Sequence, residues 1–272
     1  MDDHHSQPVC EHLQLKAFLE RIGVVALPPL TTLIDLGEGP LTLSSYLDQC
    51  SHLISMLKLS TACWLIATER STRTKLADAR ARNIPIVSAR ETFAVAVAQG
   101  ELNAFLDLCA DFGIARIECT EDLSHTSLGP RDIVKMVNGR GMDVQVGIRK
   151  KHGSPVTIRS WKGFVDRGQL WLDAGAKQVT VETTESVRSP LDEGRLFQAA
   201  LADRLATVFG LETVIFETSG LATQFAILDH FGPRVQLSNV RLEEVLQVEV
   251  YRRRLHSDTS VQDALRPHSR RL

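Results

Sequence analysis

Aromatic residues make up only 6% of the chain, too few for the stacked platforms on which single-stranded nucleic acids lie. Neither sign of charge dominates: 31 Lys and Arg stand against 33 Asp and Glu, a net charge of −2. That balance excludes a basic nucleic-acid surface spread over the whole molecule. The five cysteines, Cys10, Cys50, Cys63, Cys109 and Cys119, are odd in number, widely spaced and without a C-x-x-C pair. Common zinc spacings and a disulfide framework are therefore excluded, leaving reduced, mostly buried thiols. No apolar run approaches the roughly 20 residues that a membrane span needs. The opening "MDDHHSQP" is polar and acidic, unlike a signal core. A cytoplasmic protein with no membrane or nucleic-acid partner is expected. Nucleotide loops of the G-x-G-x-x-G or P-loop kind and the G-x-S-x-G elbow are missing too. No nucleotide or organic cofactor is indicated. None of the nine histidines falls at a predicted strand end, which argues against zinc.

What the sequence does contain is alternation. Short β-branched runs are predicted as strands at 31–37, 55–60, 84–89, 115–121, 143–149, 177–183, 213–219 and 234–240. Amphipathic segments between them carry helix punctuation. "GPRDIVKMVNGRG" has Pro130 near its start and Gly139 past its end. "AVAVAQGELNAFLDLCADFG" reads as a single helical pattern that stops at Gly113. Strands alternating with helices argue for βαβ units and a parallel sheet. Eight units in this length predict a single-domain α/β protein, a (β/α)8 TIM barrel. An open doubly wound sheet is the runner-up, disfavoured because "DLGEGPLT" is a poor phosphate turn. The boundaries expected are an N-terminal, helical extension over 1–29 that covers the barrel bottom, the barrel over 30–259, and a polar tail over 260–272.

In a barrel, chemistry gathers where strands end and βα loops begin. The strand ends present Asp35, Lys58, Arg90 with Glu91, Glu118 with Glu121, Arg149, Glu182 with Glu185, Glu217 and Asn239. Ionisable groups there are costly to bury unless paired or used. The alternative for any one of them is a structural ion pair, Glu182 or Glu217 with Lys58 or Arg149. Acids and bases converging on one rim favour an anion or metal-carboxylate site. Lys58, Arg149, Glu182 and Glu217 are the candidate catalytic residues, and Asp35, Arg90, Glu118, Glu185 and Asn239 the candidate substrate contacts. In "DVQVGIRKK", Arg149 is expected to face inward while Lys150 and Lys151 are solvated.

Taken in order, these segments resemble the phosphosulfolactate synthases of coenzyme M biosynthesis. "AVAQGELNAFLDLCADFGIARIECTED" is similar to that family's Q-G helix and "iEiSdG" strand, "VQVGIRKK" to its "VGKK", and "VTVETTES" to its "EaRESG". "VIFETSGLATQ" is similar to "iFEAPxKxQQ", and the stretch from Phe231 to Thr259 to the family's ending, which brings in Glu249, Arg252, Asp258 and Thr259. The resemblance implies a barrel that joins sulfite to phosphoenolpyruvate, with Mg²⁺ as a possible cofactor. Such a conjugate addition needs cations for the anions, stabilisation of an enolate-like charge, and an acid that protonates carbon.

This chain also departs from the pattern. The family's "DKG" is "DLG", with Leu36 for the cation, and "KFGWGT" is "KLSTAC". Its "GGT" turn is Ala89, Arg90 and Glu91, its "VGKK" lysines are Ile148 and Arg149, and the arginine of "RESG" is Thr184. Lysine and arginine are not equivalent phosphate holders, and lost glycines close the backbone to a ligand. The sequence therefore predicts a homo-oligomeric lyase or synthase adding sulfite or a similar nucleophile to a small anionic or carbonyl acceptor other than phosphoenolpyruvate. Two alternatives stand beside it. One is a non-catalytic binding or stress-protection barrel. The other is a cyclase or isomerase, with Leu36, Ile148 and Leu221 forming an apolar mouth.

Overall fold

A computed structural model describes residues 11–121, 123–148, 158–182 and 193–256. Eight parallel strands follow one another around a closed barrel: β1 Thr31–Asp35, β2 Ile54–Leu59, β3 Ile86–Ser88, β4 Arg116–Thr120, β5 Asp143–Ile148, β6 Gln178–Glu182, β7 Val214–Glu217 and β8 Gln236–Val240. β8 returns to β1, pairing Leu237 with Thr31 and Val240 with Leu33. The helices are α1 Glu11–Arg21, α2 Pro40–Cys50, α3 Cys63–Ile66, α4 Glu69–Ala81, α5 Arg90–Ala98, α6 Leu102–Asp111, α7 Pro130–Asn138, α8 Ile158–Ala174, α9 Glu193–Phe209, α10 Leu221–Phe231 and α11 Val245–Arg252. The barrel expected from the alternation is the architecture observed.

The strands alternate because their two faces meet different surroundings. Val144, Val146 and Ile148 of β5 point away from the barrel axis and join the main apolar core between sheet and helices, with Leu57, Ile117 and Phe216. Gln145, between them, turns inward, where its Nε2 donates to Glu118 Oε2 at 3.0 Å and to Thr180 Oγ1 at 3.2 Å. Inside the ring a separate, small apolar cluster of Met56, Val87 and Ile215 fills the middle. Below it, the first residues of alternate strands form a polar layer: Arg116 donates to Gln178, whose Nε2 donates to Gln236 Oε1 at 2.8 Å. Contributions from alternate strands are how barrel interiors stack. Here the layers are largely polar, so hydrogen bonds and ion pairs must replace apolar packing.

The stretch read as one helix is two. α5 ends at Ala98; just past it Gly100 adopts φ +72°, and the Glu101 N–H reaches back to the Ala96 carbonyl at 2.8 Å. A left-handed glycine with this backward hydrogen bond closes a helix. α1 carries an apolar stripe, but Leu15, Phe18 and Ile22 are 66%, 51% and 51% exposed, so the stripe is not buried under the barrel as expected. The bottom is instead clasped by α11. Thr31 Oγ1 donates to Glu249 Oε1 at 2.5 Å, and Arg252 donates to the same oxygen at 3.0 Å. Arg252 also reaches the carbonyls of Pro233 and Val235 at 2.8 and 2.7 Å. Thr31 opens β1, so this cluster lies at the N-terminal end, opposite the end where barrel chemistry occurs. Asp258 and Thr259 lie outside the described residues.

Candidate active site

At the C-terminal end the strand polarity brings four charged side chains into contact. Lys58 comes from β2, Glu118 from β4 and Glu217 from β7, and Arg90 enters from the first turn of α5. Lys58 Nζ lies 2.9 Å from Glu118 Oε2 and 2.5 Å from Glu217 Oε1. Arg90 Nη1 lies 2.9 Å from Glu118 Oε1 and 2.6 Å from Glu217 Oε2. Charges alternate around a closed square, and all four residues are buried.

The titration of Lys58, Glu217 and Arg90 follows from that geometry. Burial alone would depress Lys58, but Glu118 and Glu217 overcome it and push the ammonium up to about 12. Burial alone would raise Glu217, yet Lys58 and Arg90 hold its carboxylate down to about 2. Desolvation likewise opposes the charge on Arg90, and Glu217 and Glu118 outweigh it, so its pKa rises. The square thus sets two cationic side chains against two acidic ones.

Arg90 can enter only because β5 has a glycine opposite it. A Cβ on Gly147 would lie 2.7 Å from Arg90 Cδ, 2.9 Å from Arg90 Nη1 and 2.9 Å from Glu118 Oε1. Glycine inside a strand often marks such a close approach; the strand-end reading names Arg90 but not the Gly147 that makes room for it. Above the square opens a cavity of about 430 Å³, to which Lys58, Arg90, Glu91, Glu182, Glu217 and Asn239 contribute. Ser60, Thr61, Thr218 and Ser219 complete much of its wall. Asn239 and Thr61 hold left-handed backbones at φ +63° and +44°; such conformations cluster at functional sites.

The remaining candidates sort by place. Glu182 lies at the rim, its Oε2 3.8 Å from Arg90 Nη2. Asp35 points away from the cavity: Lys75 of α4 binds its Oδ2 at 2.5 Å, and the N–H groups of Gly37 and Glu38 bind its Oδ1 at 2.9 and 3.1 Å. Lys75, buried in a highly polar helix, gave no sequence signal. Arg149 and Glu185 lie outside the described residues, as do Lys150 and Lys151. The apolar mouth does not form as expected, since Ile148 faces α8 close to Gly168 and Leu221 packs on the outer core.

Carboxylates near cations also bear on Mg²⁺. Glu217 and Glu118 each spend both oxygens on Lys58 and Arg90. Among the described residues no group of three or more His, Cys, Asp or Glu could hold a metal ion. The described side chains therefore do not form a divalent-cation site. Nor, among them, is any helix long and apolar enough to cross a membrane.

Residues 29–258 match the family model described as (2R)-phospho-3-sulfolactate synthase (ComA). A phosphosulfolactate synthase of Methanocaldococcus jannaschii is 27% identical over 234 residues, spanning 85% of this chain and 93% of that protein. Among solved structures, a 3-dehydroquinate dehydratase of Geobacillus kaustophilus superposes with a TM-score of 0.58 at 14% identity, covering 86% of this chain and 95% of that one. The carboxyl transferase domain of Rhizobium etli pyruvate carboxylase gives 0.54 at 12% identity, covering 90% of this chain and 46% of that one. At such identities the two structures speak for the barrel alone.

Proposed function

The chain belongs to the (2R)-phospho-3-sulfolactate synthase family, and from that premise we propose a lyase or synthase that adds sulfite, or a similar nucleophile, to an unsaturated carboxylate or carbonyl acceptor other than phosphoenolpyruvate. The observation that carries this reading is the convergence of Lys58, Arg90, Glu118 and Glu217 beneath one cavity at the C-terminal end of the barrel.

In the forward direction the sulfur lone pair attacks the β-carbon and a C–S bond forms. The C=C π pair moves toward the carbonyl oxygen as an enolate, and a proton then goes to the α-carbon. Arg90 and Asn239, at the cavity wall, are placed to hold the oxygen on which charge develops. Lys58, protonated at neutral pH, is the proton source, whereas Glu217 is ionised there and keeps the ammonium in place.

Divergence from phosphoenolpyruvate rests on charge. The square sets two cationic side chains against two acidic ones, the family's first-strand lysine is Leu36, and the rim adds the carboxylates of Glu91 and Glu182. A phosphate needs unneutralised cations, and the described wall pairs both of its own with glutamates. The same closure favours a second reading, a non-catalytic barrel whose square is a structural plug.

Incubating the protein with sulfite and a panel of unsaturated acids, ketones and aldehydes, with and without Mg²⁺, tests the proposal. A sulfonate adduct found by mass spectrometry, and lost in Lys58→Met, is the expected result. Rapid turnover of phosphoenolpyruvate would remove the divergence argument; no adduct with any acceptor would favour the plug.

A further inference from the structure

We infer that the acceptor carries a nonpolar substituent, and that Leu36, Leu65 and Ile66, on the loops that follow β1 and β2, form the surface on which this substituent lies. This rests on the reading above that the cavity is the acceptor site. The three side chains are 45%, 42% and 85% exposed. Single apolar residues scattered over a surface need no explanation, but these three are gathered beside the cavity. Leu36 directly follows Asp35, the last residue of β1, whose carbonyl accepts from the Ser60 N–H at 3.0 Å. Ser60 and Thr61 line the cavity, and so does Ile34 on the β1 side. Farther out the two loops meet, where a Cβ on Gly37 would lie 3.9 Å from Cys63 Cβ. Apolar surface on touching loops at the edge of a cavity is what a ligand groove presents.

The outward direction of these side chains is built into the fold. Trp64 is buried; its ring meets Phe112 edge-on with centroids 5.7 Å apart, and its carbonyl accepts from Thr72 Oγ1 at 3.0 Å. α3 is a single turn, so anchoring Trp64 in the core turns its neighbours Leu65 and Ile66 toward solvent. Thr92 of α5 fixes the start of the same loop, its Oγ1 donating to the Thr61 carbonyl at 2.6 Å. On the β1 side, Asp35 Oδ1 accepts from the Gly37 and Glu38 N–H groups while its Oδ2 binds Lys75. Both loops are thus held with apolar groups in water, and a nonpolar substituent reaching out of the cavity removes that surface from water. The cavity wall itself is mostly polar and charged. An acceptor that fits both regions has a polar reacting end inside and a hydrocarbon tail over the loops. At position 36 the family pattern has lysine where this chain has leucine, so the apolar surface is a feature of this chain rather than of that pattern.

The experiment reads binding, so it does not depend on turnover. Pyruvate, 2-oxohexanoate and 2-oxooctanoate share one polar head and differ only in hydrocarbon length, and their affinities for the full chain are measured by ligand-observed NMR titration. A fully buried methylene is worth about fourfold in affinity and one covered on a single side about twofold. Native protein is therefore expected to bind 2-oxooctanoate about tenfold to thirtyfold more tightly than pyruvate. In the Leu36→Gln, Ile66→Gln double variant that ratio falls to about fivefold or less while pyruvate affinity is unchanged. Val95→Gln, which removes a 61% exposed side chain from α5 on the barrel flank, keeps the native ratio. The inference is overturned if the native ratio is below about tenfold, if the double variant keeps the native ratio, if Val95→Gln lowers it as far, or if none of the three acids binds. Ile66→Gln alone leaves the core packing intact and is expected to lower the ratio about threefold, so the test holds even if the double variant folds poorly. Preference for the longer acids without sulfonate formation would keep this inference and discard only the proposed reaction; sulfonate formation with equal affinity for all three would do the reverse.

Discussion

Lys58 and Glu217 illustrate how a buried charge can be tolerated and yet impose a condition. Each is desolvated, and each is held ionised by partners at hydrogen-bond distance. Removing one partner leaves an uncompensated charge in the interior, which costs about 3–5 kcal/mol. Glu217→Gln is accordingly expected to lower unfolding stability by about that amount at pH 7, measured by denaturant titration. The pH dependence has a definite sign. Glu217 falls from 4.5 to about 2 on folding, so between those values the unfolded chain binds the proton more readily. Its contribution is complete above 4.5 and disappears as the pH drops through about 2. Lys58 rises from 10.5 to about 12, so its contribution is complete below 10.5 and is lost as the pH climbs past 12. Native protein should therefore show a stability plateau between these limits, and Glu217→Gln should flatten the acid limb. An acid limb of unchanged steepness in the variant would mean that other carboxylates govern it.

Elements place these residues, and here legibility in the sequence varied with physical cause. All eight strands were readable because each β-branched run is bounded by polar or glycine punctuation. Val144, Val146 and Ile148 announced the strand, but the alternation did not say which face met the axis; only the barrel's polar interior made Gln145 and Gly147 the inward residues. α4, "ERSTRTKLADARA", hid its role because a polar sequence does not reveal that Lys75 turns down onto Asp35. Asp35 was a reasonable site candidate by position, yet its outward rotation made it part of the scaffold. The break between α5 and α6 was written in Gly100, but continuous apolar spacing across it masked the signal. Gly147 gives the sharpest test at this scale. Its own backbone does not require glycine, so Gly147→Ala acts through collision with Arg90 and Glu118. Overpacking of this kind costs about 1–3 kcal/mol. The melting temperature should fall accordingly, because Arg90 is displaced from its seat. A variant as stable as native protein would show that Arg90 does not depend on the gap.

For the molecule as a whole, the family-matching residues divide between the two ends of the barrel. Lys58, Glu118, Glu217 and Asn239 meet at the C-terminal end, while Glu249 and Arg252 tie α11 to the first residue of β1 at the other. Sequence order could name both groups but not separate them, because the separation comes from strand direction and from closure of β8 on β1. The same division says what the barrel needs. Its lower end is held by the α11 clasp and by the polar layer of Arg116, Gln178 and Gln236, and the stripe of α1 that would have covered it remains exposed. Deleting residues 1–23 should then leave the thermal midpoint within about 2 °C of the full chain, since little buried apolar area is lost. Calorimetry of the two chains at equal concentration decides the matter. A fall of several degrees would mean that the exposed leucine, phenylalanine and isoleucine of α1 are covered in solution and that the N-terminal helix is part of the folded unit after all.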